Sequence, residues 1–92
     1  MLKDKICVVT GGAQGIGRCI VEIFASNDAK MVFACDMNAA VMAELESQYT
    51  NVRAVELNVC DRSSIANFVE KVKAEFGHID VLVNNAGITR DN

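Results

Sequence analysis

Within its first 26 residues the chain runs from a buried-strand pattern through a glycine-rich turn into an amphipathic helix. The run Lys5-Ile-Cys-Val-Val-Thr10 is apolar at every position between its ends. A strand covered on both faces requires that pattern, and such strands belong to parallel sheets with helices on either side. The turn is Thr10-Gly-Gly-Ala-Gln-Gly-Ile-Gly17. In the segment Ile16 to Ser26, Ile16, Ile20, Ile23 and Phe24 recur at helical spacing and mark the expected inner face.

The same alternation continues to the end of the chain. Met31-Val-Phe-Ala-Cys-Asp36 is a second buried strand. Asn38–Tyr49 reads as a helix, with Val41, Leu45 and Tyr49 four apart and Asn38 as its cap. Val52–Leu57 is a third strand. Asp61 or Ser63 caps a helix that reaches Phe76, with Ile65, Phe68, Val69, Val72 and Phe76 on one face. Gly77 ends that helix, and Val81-Leu-Val-Asn84 is a fourth strand. A βαβαβαβ order predicts an α/β fold, a Rossmann-like parallel sheet with right-handed crossovers and helices on both faces. By analogy with dinucleotide folds the strand order is 3-2-1-4. The short, apolar fourth strand then lies at an edge, where an uncovered strand invites pairing. A unit of 92 residues is marginal alone. The expectation is the N-terminal part of one longer dinucleotide-binding domain, residues 1–92, weakly stable or self-associating by itself.

A glycine turn between a buried strand and a helix N-terminus is suited to phosphate. The first helical turn has unpaired N–H groups and the positive end of the dipole. Glycine lets a pyrophosphate approach the backbone without a Cβ in the way. The spacing here is Gly11-x-x-x-Gly15-x-Gly17. Glycine patterns alone are weak, and a tight turn with Gly17 allowing close helix–sheet packing explains them equally well. Context lifts the motif: a strand precedes it, a helix follows, and an acid, Asp36, ends the next strand. A carboxylate there accepts hydrogen bonds from ribose hydroxyls and repels a 2′-phosphate. NADP sites place a basic residue nearby, but the turn carries Gln14 and Met37 follows the acid. Arg18 lies one step inside the helix. NAD is therefore expected over NADP.

The remaining polar positions divide between ligand and structural roles. Asn58-Val-Cys-Asp61 follows the third strand on the ligand side. Asn58 suits adenine or a turn equally, whereas Asp61 is better read as a helix cap. Asn84-Asn-Ala-Gly87 ends the fourth strand, and its asparagines are expected to tie loop carbonyls and neighbouring strands. His78, the only histidine, and Asp80 fall in a turn at the opposite end of the sheet and read as solvated turn residues. The four cysteines, Cys7, Cys19, Cys35 and Cys60, show neither CxxC nor metal-ligand spacing, and are expected to be small buried hydrophobes. A net charge of −3 argues against nucleic acid or anionic membrane as a partner. No apolar run is long enough to span a bilayer. The N-terminus lacks the apolar core of a signal peptide, so a cytoplasmic protein is expected.

Taken in order, Thr10-Gly11-x-x-x-Gly15-x-Gly17, Asp36, Asn58-Val-Cys-Asp61 and Asn84-Asn-Ala-Gly87 resemble the N-terminal part of a short-chain dehydrogenase/reductase. The tail Asn84-Asn-Ala-Gly-Ile-Thr-Arg-Asp-Asn92 is similar to the 3-oxoacyl-acyl-carrier-protein reductases and acetoacetyl-CoA reductases of that family. The resemblance implies hydride transfer between a nicotinamide and a 3-oxoacyl thioester or similar ketone, by a homo-oligomer, usually a tetramer. It puts Thr10, Gly11, Gln14, Gly15, Ile16 and Gly17 at the pyrophosphate turn and Asp36 at the ribose. Asn58 and Val59 fall at adenine, where many members have aspartate in place of Asn58. Asn85 falls on the sheet-stabilising asparagine, with Ala86 and Gly87 near the nicotinamide-side ribose. The acyl-carrier reductases usually prefer NADPH and carry a basic residue in place of Gln14, so Gln14 and Asp36 also admit NAD-linked dehydrogenases. The family's catalytic Ser and Tyr-x-x-x-Lys have no counterpart here. The only tyrosine, Tyr49, has Arg53 four residues on. These 92 residues are thus expected to bind cofactor without turning over. The alternative is a non-catalytic nucleotide-binding or self-associating module.

Overall fold

The computed structural model describes residues 2–11, 15–58 and 60–85. Four strands and three helices alternate: β1 (Ile6–Thr10), α1 (Gly15–Ser26), β2 (Met31–Asp36), α2 (Ala39–Gln48), β3 (Val52–Glu56), α3 (Arg62–Phe76) and β4 (Val81–Asn84). The strands form one parallel sheet in the order β3-β2-β1-β4, as the alternation and the fold analogy predict. Thr10 stands opposite both Cys35 and Asn84, and Asp36 opposite Glu56. The C-terminal strand tips therefore line up along one edge.

Strand alternation divides the core between the two faces of the sheet. On one face Cys7, Val9, Val32, Ala34 and Val52 meet Val21 and Ala25 of α1 and Leu45 of α2. On the other, Ile6, Val8, Phe33 and Cys35 meet Phe68 and Val72 of α3. Each large apolar side chain withdrawn from water contributes about 1.5–3 kcal/mol. Phe33 takes Phe68 and Phe76 edge-on, with ring centroids 5.4 and 5.8 Å away. The Arg53 guanidinium lies over Phe33 at 5.5 Å and is held by two bonds to Glu75, of 2.9 and 3.3 Å.

Helix ends follow the local chemistry. Asp61 caps α3 by accepting from the Ser63 and Ser64 N–H groups, and the Ser64 hydroxyl, which donates to its Oδ2 at 3.0 Å, together with those bonds holds its carboxyl below the ordinary range. Gly77 closes the same helix at φ +88° and donates its N–H to Lys73. The α3 face is as predicted, with Phe68 and Val72 buried and Ile65, Val69 and Phe76 half-buried. In α2 Leu45 is fully buried, and Tyr49, one residue past the end of the helix, is partly buried, while the Val41 side chain lies outside what is described.

Two expectations need correction. The inner face of α1 is Gly17, Val21 and Ala25, flanked by half-buried Ile20 and Phe24. Ile16 and Ile23 are 68% and 57% exposed. Small residues let the helix axis approach the sheet closely, so the face with least bulk turns inward and two isoleucines are left outside. The second correction concerns the cysteines. Cys7 and Cys35 are buried, whereas Cys19 on α1 and Cys60 in the turn before α3 are exposed.

Both sheet edges are within the described residues. On β3 the outward N–H of Ala54 donates to Glu46 Oε2 of α2 at 2.6 Å, so a carboxylate covers that position. On β4, Leu82 is 67% exposed.

Candidate functional site

The first strand tip is cross-tied before any ligand is considered. Thr10, nearly buried, places its hydroxyl 3.0 Å from Asn84 Oδ1 and 3.3 Å from the Val83 carbonyl. Gly11 turns the chain at φ +68° and donates its N–H to the Cys35 carbonyl at 2.7 Å. Its own carbonyl accepts from Asn85 Nδ2 at 3.3 Å. Asn85 is buried. Three adjacent strands, β2, β1 and β4, are thus joined at one end through Gly11, as expected of paired asparagines after a buried strand.

Gly17 belongs to the same lock. A Cβ on Gly17 would collide with the Gly11 carbonyl oxygen and lie 2.7 Å from its carbon and 2.8 Å from Asn85 Nδ2. Close packing by itself therefore requires glycine at position 17. Gly15 is a different case. It opens α1 at φ +64°, and apart from its chain neighbours and the adjacent helix backbone no described atom comes within 4 Å of where its Cβ would be. That conformation costs an L side chain about 1–2 kcal/mol. Gly15 thus opens a helix whose first turn carries no acidic side chain, with no described side chain packed over its Cα. The N–H groups that the first turn of a helix leaves without an intrahelical partner, approached past a glycine, fit a pyrophosphate. Ile16 faces solvent beside it. Gln14 lies outside the described residues.

Asp36 ends β2 half-buried, and its Oδ1 accepts the Asn38 N–H at 3.1 Å. Its backbone carbonyl accepts from Leu57, which brings the tips of β2 and β3 together. The turn role and the ribose role are compatible, because a carboxylate offers about four acceptor positions. Beyond β3, Asn58 Oδ1 accepts from the Cys60 N–H at 2.9 Å and its carbonyl from Asp61. Of the two roles open to Asn58, its oxygen performs the turn role, and the exposed side chain keeps an amide group at the ligand-side edge. Val59, Ala86 and Gly87 lie outside the described residues.

Two polar connections escaped the sequence reading. Arg18 bonds Glu44 of α2 at 2.9 Å and Glu22 of its own helix at 3.3 Å. At the far end of the sheet, Asp80 acts as a clamp rather than a loose turn residue. It accepts the Ile6 N–H at 2.8 Å on Oδ2 and donates its own N–H to the Ile6 carbonyl. The Ile6 bond, helped by His78 at 2.8 Å, holds the Asp80 carboxyl below its ordinary range. Arg18–Glu44 and Ile6–Asp80 join residues far apart in sequence, and no local pattern announces them, whereas Arg18–Glu22 is an i,i+4 pair within α1. The buried thiols are chemically quiet. Burial pushes Cys35 up to about 12, with the Asp36 charge adding to it, and Cys7 up to about 11.

A glycine turn, an acid at the second strand tip and a 3-2-1-4 parallel sheet define a Rossmann-like α/β unit. The comparisons with known proteins go further. The family model for short chain dehydrogenases matches residues 5–92. The chain belongs to the short-chain dehydrogenase family. It is 46% identical over 90 residues to the 3-oxoacyl-acyl-carrier-protein reductase FabG of Escherichia coli (strain K12), covering 98% of this chain and 37% of that protein. It is 44% identical over 94 residues to the FabG reductase of Thermotoga maritima, covering 98% and 38%. The chain thus spans little more than a third of the length of these curated relatives. A metagenomic short-chain oxidoreductase solved in complex with NADP superposes with a TM-score of 0.83 at 26% identity, over 88% of this chain and 38% of that one. A short chain dehydrogenase from Bacillus anthracis gives 0.84 at 26% identity, over 92% and 35%.

Proposed function

We propose that this chain is the cofactor-binding part of an NAD-dependent oxidoreductase that reduces a 3-oxoacyl thioester or a similar ketone. The observation that carries the reading is the left-handed Gly15 at the N-terminus of α1, with the carboxylate of Asp36 ending β2, the strand next to β1. The first-turn N–H groups of α1 hold the pyrophosphate. Asp36 accepts from the adenosine ribose hydroxyls, and Asn58 offers its amide toward adenine. Thr10, Asn84 and Asn85 keep the tips of β1 and β4 in register so that Gly11 stays clear of the cofactor. Bound nicotinamide supplies the hydride.

NAD is preferred over NADP because a 2′-phosphate meets the Asp36 charge. Arg18, a nearby cation, is engaged by Glu22 and Glu44. The thioester assignment rests on likeness to the FabG reductases. None of these 92 residues supplies the family's tyrosine acid, so the chain alone binds cofactor without turning over. Among the described residues no helix is long and apolar enough to cross a membrane. The cytoplasmic, homo-oligomeric parent is inferred from likeness to the FabG reductases. A self-associating module is the second reading, favoured by Leu82, exposed on edge strand β4.

The test is equilibrium titration of the purified protein with NAD+ and NADP+, followed by an assay for NADH oxidation with acetoacetyl-CoA. Tighter binding of NAD+ supports the reading. Absence of dinucleotide binding overturns it in favour of the module. Turnover by the 92-residue chain itself contradicts the placement of the acid elsewhere.

A further inference from the structure

One cation lies between two carboxylates where α1 and α2 touch. Arg18 Nη2 bonds Glu44 Oε1 at 2.9 Å and Arg18 Nε bonds Glu22 Oε2 at 3.3 Å. Both helices begin at the strand tips that hold Gly11 and Asp36. Arg18 is the fourth residue of α1, and Glu44 is the sixth of α2. Helical side chains lean toward the helix N-terminus, here toward the cofactor edge. Released from Glu44, a long arginine side chain in this position has that edge within its natural direction. Held as it is, the trio is net negative and adds to the charge of Asp36 instead of opposing it.

We infer that Glu44, by holding Arg18 across the α1–α2 contact, is a specificity-determining residue that disfavours a 2′-phosphorylated dinucleotide. The inference rests on the proposed NAD preference and deepens it. A carboxylate at the β2 tip removes ribose bonding from NADP, and the Glu22–Arg18–Glu44 trio withholds the guanidinium that would pair with the extra phosphate. Glu44 acts through Arg18 and needs no contact with the nucleotide. The contribution is modest, because Glu44 is 58% exposed and exposed pairs are screened by solvent and salt.

The experiment is equilibrium binding of NAD+ and NADP+ by calorimetry to the native protein, Glu44→Gln, Arg18→Gln and the double variant. A thermal melt of each checks folding. In Glu44→Gln the NADP+ to NAD+ affinity ratio rises by roughly 1.5- to fivefold, the range set by an exposed ion pair. Adding Arg18→Gln to Glu44→Gln returns the ratio toward the native value, which a merely structural role for Glu44 would not do. Added salt shrinks the difference. A native protein that prefers NAD+, with a ratio unmoved by Glu44→Gln, overturns this inference and leaves the NAD reading standing. A native protein that prefers NADP+ overturns both.

Discussion

Replacing Gly17 by alanine tests the lock at the strand tips most directly. The added Cβ would press on the Gly11 carbonyl and lie 2.8 Å from Asn85 Nδ2. The Gly11 carbonyl is backbone, and the Asn85 amide is buried and bonded to it, so the backbone of the turn or the α1 axis has to move. Overpacking of this kind costs about 1–3 kcal/mol. Displacing the Asn85 bond to Gly11 costs about 1 kcal/mol more. Alanine returns about 1 kcal/mol in helix propensity. The net loss is about 1–3 kcal/mol, and each kcal/mol lowers the melting temperature of a unit this size by roughly 4–8 °C. Gly15→Ala is the control. Its Cβ meets no described side chain and costs the left-handed strain of about 1–2 kcal/mol. Urea unfolding gives the stabilities and NAD+ titration reads the site. Gly17→Ala should be destabilised and bind at least tenfold more weakly, because the turn itself shifts. If Gly17→Ala melts with the native protein and binds NAD+ equally well, the close-approach reasoning is wrong.

Three further outcomes are expected. Asp36→Asn should weaken NAD+ binding about tenfold, since a charged acceptor bonds a hydroxyl more strongly than a neutral one. Its NADP+ to NAD+ ratio should rise, and an unchanged ratio from competitive titration would remove Asp36 from the ribose site. For Asp80 and Asp61, folded-state values below the ordinary carboxylate value mean that their stabilisation is fully present above about pH 5. It is lost as pH falls through about 4 and below, so Asp80→Asn should flatten the acid limb of urea midpoint against pH; an identical limb would contradict the clamp. Thiol labelling of the native protein should modify Cys19 and Cys60 quickly, with Cys7 and Cys35 reacting only after denaturant is added.

Much of this molecule was readable because the information was local. Apolar runs bounded by charge or glycine became β1, β2 and β4 within a residue of their expected limits. Asp61 and Gly77 mark helix ends through their own backbone chemistry, and both do so in the structure. The α1 face was misread because Ile16 and Ile23 match a helical period as well as Gly17, Val21 and Ala25 do. Hydrophobicity cannot tell which stripe turns inward when close approach, not bulk, decides. Cys19 and Cys60 followed the same logic, since a small apolar residue is tolerated on either side of a helix or turn. Asp80 looked like a turn residue because its partner, Ile6, lies 74 positions away.

The sequence by itself determined the order of strands and helices, the glycine turn, the acid at the second strand tip and the asparagines at the fourth. Periodicity, capping and backbone freedom act over a few residues and are written in neighbouring letters. Only the tertiary structure decided that Gly17 and Asn85 converge on the Gly11 carbonyl, that Asp80 clamps β1, and that Glu44 holds Arg18. Those contacts depend on how two distant segments are brought side by side, and side-chain geometry across that gap follows from the packing of the whole sheet.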